Sequence, residues 1–195
     1  MRQLSMADIV SNQEYEAMRP AFRQRVINLK KLRRLAIGPR ISLVFENTET
    51  MRFQVQEMMR IEHIEDVEKI REEIEVYNDL LPSGLAIGAT LLIELSQTDD
   101  MPAILRQLSG VEEHVMLEIE SQQIHALAEA GRSTEEKTSS VHYLTFPFTE
   151  SDRILLMEHP ESVALRIDHP GYRYQTKIPA ETVSLLIGDL LASRE

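Results

Sequence analysis

The dominant period of the apolar residues shifts along this chain, and that shift constrains the class of fold. Ile64, Val67, Ile70, Ile74, Tyr77 and Leu81 recur at spacings of three and four, which gathers them on one face of a helix. From Val115 onward the period falls to two. Val115, Leu117 and Ile119 alternate, and so do the apolar residues of VHYLTFPF at 141–148. Residues 162–168 and 172–178 flank His169-Pro170-Gly171, a turn signal between two strands. Helices early and strands late predict an α+β protein: N-terminal helices, a largely antiparallel sheet with helices on one side, and a C-terminal helix over 180–192. With 195 residues, 43% of them hydrophobic, the chain can fill one core. A single domain over 1–195 is expected, with a weak break in composition near 96–100.

The first half divides further. Ser5 and Asp8 are helix caps ahead of a short helix through about Ala17, and Pro20 suits the first turn of a second helix that Gly38-Pro39 stops after about Leu35. Ile41, Leu43 and Phe45 alternate, as do Met51, Phe53 and Val55, with Asn47-Thr48-Glu49-Thr50 between, which predicts a β-hairpin. A helix follows from about Gln56, and Pro82-Ser83-Gly84 ends the helical stretch that contains Ile64–Leu81. Residues 89–95 suit a strand buried on both faces, and Asp99 or Asp100 caps a short helix to Leu108. A second short helix is expected over 151–157.

Charge is distributed as unevenly as hydrophobicity. The net charge is −11, yet Arg19, Arg23, Arg25, Lys30, Lys31, Arg33, Arg34 and Arg40 follow one another without a single acid between Arg19 and Arg40. On a helix of 100° per residue, Arg19, Arg23, Lys30 and Arg34 share a stripe beside the apolar positions Phe22, Val26 and Leu29. Three readings follow: a solvated face, pairing with the acid-rich 57–79 segment within the chain or in a homodimer, or a docking site for an acidic partner. Nucleic acid is disfavoured, because the global field repels phosphates and few aromatic residues accompany the stripe.

The chain has no cysteine, which removes disulfides, thiolate metal sites, cysteine-ligated clusters and cysteine nucleophiles. It contains neither the glycine fingerprint of a dinucleotide site nor a nucleophile elbow, and no cofactor is expected. The N-terminus lacks the apolar run of a signal peptide and no segment reaches the length of a membrane span, so the expected place is the cytoplasm, with no membrane partner.

A few polar residues sit where chemistry could occur. Glu57 falls with Ile61 and Ile64 at i, i+4 and i+7, so its carboxylate is a candidate acid–base group or metal ligand, or else the centre of an ion pair with Arg52 or Arg60. His142 shares a strand face with Leu144, Phe146 and Phe148, and a neighbouring strand can bring His114 or His125 beside it as further ligands, although a satisfied core histidine fits the same pattern. Arg132 lies in the long polar loop 129–140, where it can clamp a carboxylate or phosphate.

Several stretches together are similar to one family: FQVQEMMRIE (53–62), YNDLLP (77–82), ATLLIEL (89–95), LSGVEEHV (108–115), EAGRSTEEKTSSVHYLTF (129–146) and IDHPGY (167–172). They resemble the bacterial domain-of-unknown-function family 3501 over nearly the whole chain. That resemblance implies genes often placed beside a rubrerythrin-like protein and an iron–sulfur oxidoreductase, and so a redox or peroxide-stress setting. A cysteine-free member would serve there as an accessory rather than as the electron carrier, engaging an acidic or iron–sulfur partner through the Arg19–Arg34 surface or the 129–140 loop. The alternative is a small enzyme or metal-binding protein using carboxylate and histidine ligands.

Overall fold

The computed structural model describes residues 1–129, 131, 133 and 138–192. The expected α+β architecture is present, with its strands divided between two antiparallel sheets. After a single 3-10 turn at Met6–Asp8, helix α1 runs unbroken from Asn12 to Arg33. Ser11 caps it by accepting from the Glu14 amide, while the Glu14 carboxylate reaches back to the Ser11 amide. Pro20 does not divide this helix as the sequence pattern suggested. Pro20 and Glu16 are both exposed, so the carbonyl that proline leaves without a donor lies at the solvent side.

The basic run then leaves the helix. Strand β1 (Arg34–Ile37) turns through Gly38, at φ +70°, into β2 (Ile41–Phe45), so Gly38-Pro39 is the bend of a hairpin rather than a simple helix stop. The hairpin predicted across 41–55 does not form. Asn47 and Thr50 exchange hydrogen bonds as a capping box, and α2 begins at Thr48 and runs to Glu62. Met51, Val55 and Met59 are its buried apolar positions, a period of four rather than two. Helix α3 (Val67–Asp79) follows, capped by Asp66.

Strand β3 (Ala86–Ile93) is buried along nearly its whole length, flanked by β2 and by β7 (Val141–Pro147). Helix α4 (Met101–Gln107) and a 3-10 turn at Val111–His114 lead into β4 (Val115–Ile119), β5 (Gln122–His125) and the two-residue β6 (Leu127–Ala128). Helix α5 (Glu150–Glu158), the hairpin of β8 (Val163–His169) and β9 (Tyr172–Lys177), and α6 (Ala180–Ala192) complete the chain. One sheet has the order β1-β2-β3-β7-β6 and the other β5-β4-β8-β9.

A continuous apolar core joins the two sheets: Leu43, Ile87, Leu91 and Phe146 of the first meet Leu117, Ile119 and Leu165 of the second, with Val183, Leu186 and Leu190 of α6 in the same cluster. Tyr172 locks the sheets together at one end. Its hydroxyl accepts from the amides of Arg40 and Ile41 at 3.0 and 3.1 Å and donates to the Ile37 carbonyl at 2.6 Å. A smaller core joins α2, α3 and the N-terminal strap. No helix among the described residues is long and apolar enough to cross a membrane.

Candidate functional site

Glu57 stands at the α1–α2 contact with every acceptor direction in use. Its Oε1 accepts from the Tyr15 hydroxyl and Arg19 Nε, both at 2.7 Å, and its Oε2 from Arg19 Nη2 at 3.0 Å and Arg60 Nη2 at 3.4 Å. The Arg19 bond, more than any other contact, holds the carboxyl down at about 2, and the Tyr15 phenol is pushed well above its usual range by burial and by Glu57. A carboxylate held this way takes up no proton near neutrality and has no oxygen left to offer an ion. Arg52 turns instead to Glu49, at 3.9 Å.

His142 is placed differently. Period-two alternation on β7 turns it inward with Leu144 and Phe146, and its side chain is 1% exposed. Its Nε2 lies 2.8 Å from the Ser139 carbonyl and 2.8 Å from Thr138 Oγ1. A carbonyl can only accept, so Nε2 carries a hydrogen. Facing Nδ1 at 3.7 Å is Oε1 of Glu112, another buried residue, from the 3-10 turn ahead of β4. Neither Nδ1 nor Glu112 Oε2 has a hydrogen-bond partner among the described residues. Thr138 Oγ1 lies 2.6 Å from Ser133 Oγ, which completes a row of carboxylate, imidazole and two hydroxyls.

That row resembles a hydrolytic triad only in its residue types. A general base must accept the proton of its nucleophile, whereas Nε2 here donates toward both Thr138 and Ser139. The other ring nitrogen, Nδ1, faces Glu112.

No other histidine makes a hydrogen bond or ion pair with Glu112 or His142 among the described residues. His114 ends the 3-10 turn that carries Glu112, and its ring stacks edge-on against His169, with centroids 5.2 Å apart. His169 uses both nitrogens, with Nε2 3.1 Å from the Ser109 carbonyl and Nδ1 accepting from the Gly171 amide at 3.1 Å; burial lowers its pKa. His125 is exposed on β5, opposite Met116 of β4. Arg132 lies outside the described residues. A separate exposed trio, Glu120, His159 and Glu161, brings ligand atoms within 4.8 Å of one another.

With this geometry in view, comparison with known proteins is informative about kinship. Residues 3–190 match the family described as "Protein of unknown function (DUF3501)". The chain belongs to this family. A crystal structure of a protein of unknown function from Burkholderia pseudomallei K96243 shares the fold, with a TM-score of 0.88 and 32% identity over 96% of this chain and 99% of that one. No curated protein matches the chain.

In this DUF3501 member the basic run is largely consumed inside the molecule. Arg19 pairs with Glu57, Arg25 with Glu49, Lys30 with Glu46 at 3.9 Å, Arg33 with Asp189 at 2.6 Å, Arg34 with Glu94 at 2.8 Å and Arg40 with Asp99 at 3.0 Å. Of the four-residue stripe only Arg23 has no ion pair among the described residues, and Arg34 stands on β1 rather than on the helix. Sequence reasoning passed over two buried carboxylates. Glu46 accepts from Thr90 Oγ1 at 2.8 Å beneath Lys30, and Glu112 meets His142. Glu112 and Glu113 are adjacent in one short turn, and no periodicity in the sequence says which of them turns inward.

Proposed function

We propose that this protein is an accessory binding protein whose polar centre, Glu112 and His142, holds a divalent transition-metal ion through oxygen and nitrogen. The observation that carries the reading is the pair of buried, partnerless ligand atoms, His142 Nδ1 and Glu112 Oε2, with Nδ1 only 3.7 Å from Oε1 of the same carboxylate. Metal–nitrogen and metal–oxygen bonds of about 2.0–2.2 Å span such a gap at an angle near that of a tetrahedral or trigonal site. A metal-bound imidazole characteristically donates its other N–H to a carbonyl, as Nε2 does to Ser139.

Metal analysis of protein purified without chelators or added metal, for wild type, His142→Ala, Glu112→Gln and His159→Ala, tests this. A stoichiometric ion lost from the first two variants and kept in the third supports the reading. An ion lost only with His159→Ala belongs to the surface trio and overturns it. Metal-free wild type that binds neither Zn²⁺ nor Mn²⁺ on titration also overturns it, leaving a proton as the occupant of the gap.

The redox or peroxide-stress setting implied by the resemblance adds a partner class to this proposal: an acidic or iron–sulfur protein. Arg23 and Lys31 support a docking role, being exposed and free of ion pairs among the described residues. They stand about 80° apart around α1. Capture of such a partner by wild type but not by Arg23→Glu/Lys31→Glu is the expected result.

A further inference from the structure

Two turns at one end of the β5-β4-β8-β9 sheet bring three ligating side chains together, none of them shared with the Glu112–His142 pair. Glu120 stands in the two-residue turn between β4 and β5, His159 is the C-cap of α5, and Glu161 lies in the 3-10 turn Pro160–Ser162 that leads into β8. Main-chain hydrogen bonds fix the frame that carries them. The Glu120 amide donates to the Ser162 carbonyl at 3.2 Å, the Ser162 amide to the His159 carbonyl at 3.1 Å, and the His159 amide to the Leu155 carbonyl at 2.9 Å. The side chains meet across that frame. His159 Nδ1 is 3.9 Å from Glu120 Oε1 and 3.9 Å from Glu161 Oε1, and one ligand atom from each residue lies within 4.8 Å of the other two.

The electrostatics of this place favour a cation. Neither glutamate has a lysine or arginine partner among the described residues, so two carboxylates face one imidazole unneutralised. Lys177 shares a hollow with Glu161 but makes no ion pair with it. Helix α5 adds to the negative potential, because its last turn carries no basic residue and its C-terminal carbonyls end at His159. Glu120 is held at φ +52°, backbone that glycine or asparagine adopts more readily, so the turn itself does not call for a glutamate. One imidazole nitrogen with two carboxylate oxygens suits Zn²⁺ rather than Mg²⁺, which takes oxygen ligands and keeps its waters. Bonds of about 2.0–2.2 Å set ligand atoms roughly 3.3–3.8 Å apart at tetrahedral or trigonal angles. The trio therefore closes on an ion by a small movement of side chains that are exposed or half-buried.

We infer that Glu120, His159 and Glu161 bind Zn²⁺ at the surface, tying the β4–β5 turn to the connection between α5 and β8. A site of three exposed ligands fills on titration rather than during purification, with a Kd of about 10 μM. Backbone-amide NMR of the wild-type chain reads it directly: added Zn²⁺ is expected to move the Glu120, His159 and Glu161 signals together. The Glu112 and His142 signals report the buried pair separately, so the two assignments stand or fall independently. His159→Ala is expected to weaken Zn²⁺ at the trio by about thirtyfold, and Glu120→Gln, which keeps the shape and removes the charge, by about tenfold. Mg²⁺ at the same concentrations leaves the three signals in place. Zn²⁺ that does not move them overturns the inference and leaves a proton on His159 as the occupant. So does either variant binding Zn²⁺ as tightly as wild type, or Mg²⁺ producing the same shifts.

Discussion

Arg33 and Asp189 make the most exacting test of how this chain uses its basic segment. Arg33 closes α1 and is 2% exposed, and its Nη1 and Nη2 grip the two oxygens of Asp189 on α6 at 2.6 and 3.1 Å. Its Nε has no hydrogen-bond partner among the described residues. Asp189→Ala therefore strands a guanidinium that is already incompletely satisfied, and removing one member of such a buried pair costs about 3–5 kcal/mol. In a chain of this length each kcal/mol lowers Tm by about 2–4 °C, so a fall of roughly 6–20 °C is expected. Replacing both residues by apolar ones of similar volume removes the stranded charge. Arg33→Met/Asp189→Leu should recover to within about 2 kcal/mol of wild type. The helices keep a second tie, because Thr182 Oγ1 donates to the Leu32 carbonyl at 2.6 Å. Urea and thermal unfolding of wild type, both single variants and the double variant give the complete cycle. A loss below about 1 kcal/mol for Asp189→Ala would mean that water reaches Arg33 and the site is not buried in the energetic sense. A double variant as unstable as Asp189→Ala would refute the argument from the stranded charge.

Two further perturbations probe separate features. Glu57 has a folded pKa of about 2, depressed below that of the unfolded chain, so its contribution is complete above roughly pH 4.5 and fades as pH falls through about 2. Urea unfolding of wild type and Glu57→Gln should differ by a constant amount from neutrality to about pH 5 and converge below it, and a difference that grows on acidification contradicts the ion-pair geometry. Gly38 combines φ +70° with a position where an added Cβ would stand 2.6 Å from the Tyr174 ring and 2.7 Å from the Tyr172 hydroxyl. Gly38→Ala should destabilise by about 2 kcal/mol or more in denaturant titration, since αL strain and the displaced Tyr172 lock add.

The sequence was most readable where one period ran long enough to exclude the other. Val67, Ile70, Ile74 and Tyr77, at spacings of three and four, left α3 no alternative, and β7, the β8–β9 hairpin and α6 were anticipated within a residue or two. MRFQV at 51–55 failed because five residues fit both periods: Met51, Phe53 and Val55 alternate, yet Met51 and Val55 are also one helical turn apart. The deciding information was local and polar, the Asn47–Thr50 capping box, and it outweighed apolar alternation. Strand β1 was hidden for the converse reason, because Arg34–Ile37 continues the composition of α1 and only pairing with β2 makes it a strand. His142 was legible as an inward-facing residue from alternation alone. Its carboxylate partner was not, because the Glu112–His142 contact joins segments thirty positions apart and depends on the fold of both.

The clustering of basic residues in sequence dissolves in three dimensions, and the reason is geometric. Residues 19–40 thread from α1 through β1 into the β1–β2 turn, passing Glu57 and Glu49 of α2, Glu46 beyond β2, Asp189 of α6, and Glu94 and Asp99 on either side of the turn after β3. One basic segment is thus matched to acids scattered over the whole chain, and it ties together elements that are distant in sequence. A chain of net charge −11 needs cations where its acids converge, and a single helix crossing that region supplies them in order. These pairs do not contribute equally. Arg34–Glu94 is half exposed on both sides and worth at most about 1 kcal/mol, whereas Arg33–Asp189 is buried, so losing one of its members is the costly change. Among the described residues only Arg23 and Lys31 of this segment lack an ion pair, so the docking surface proposed above contracts to these two.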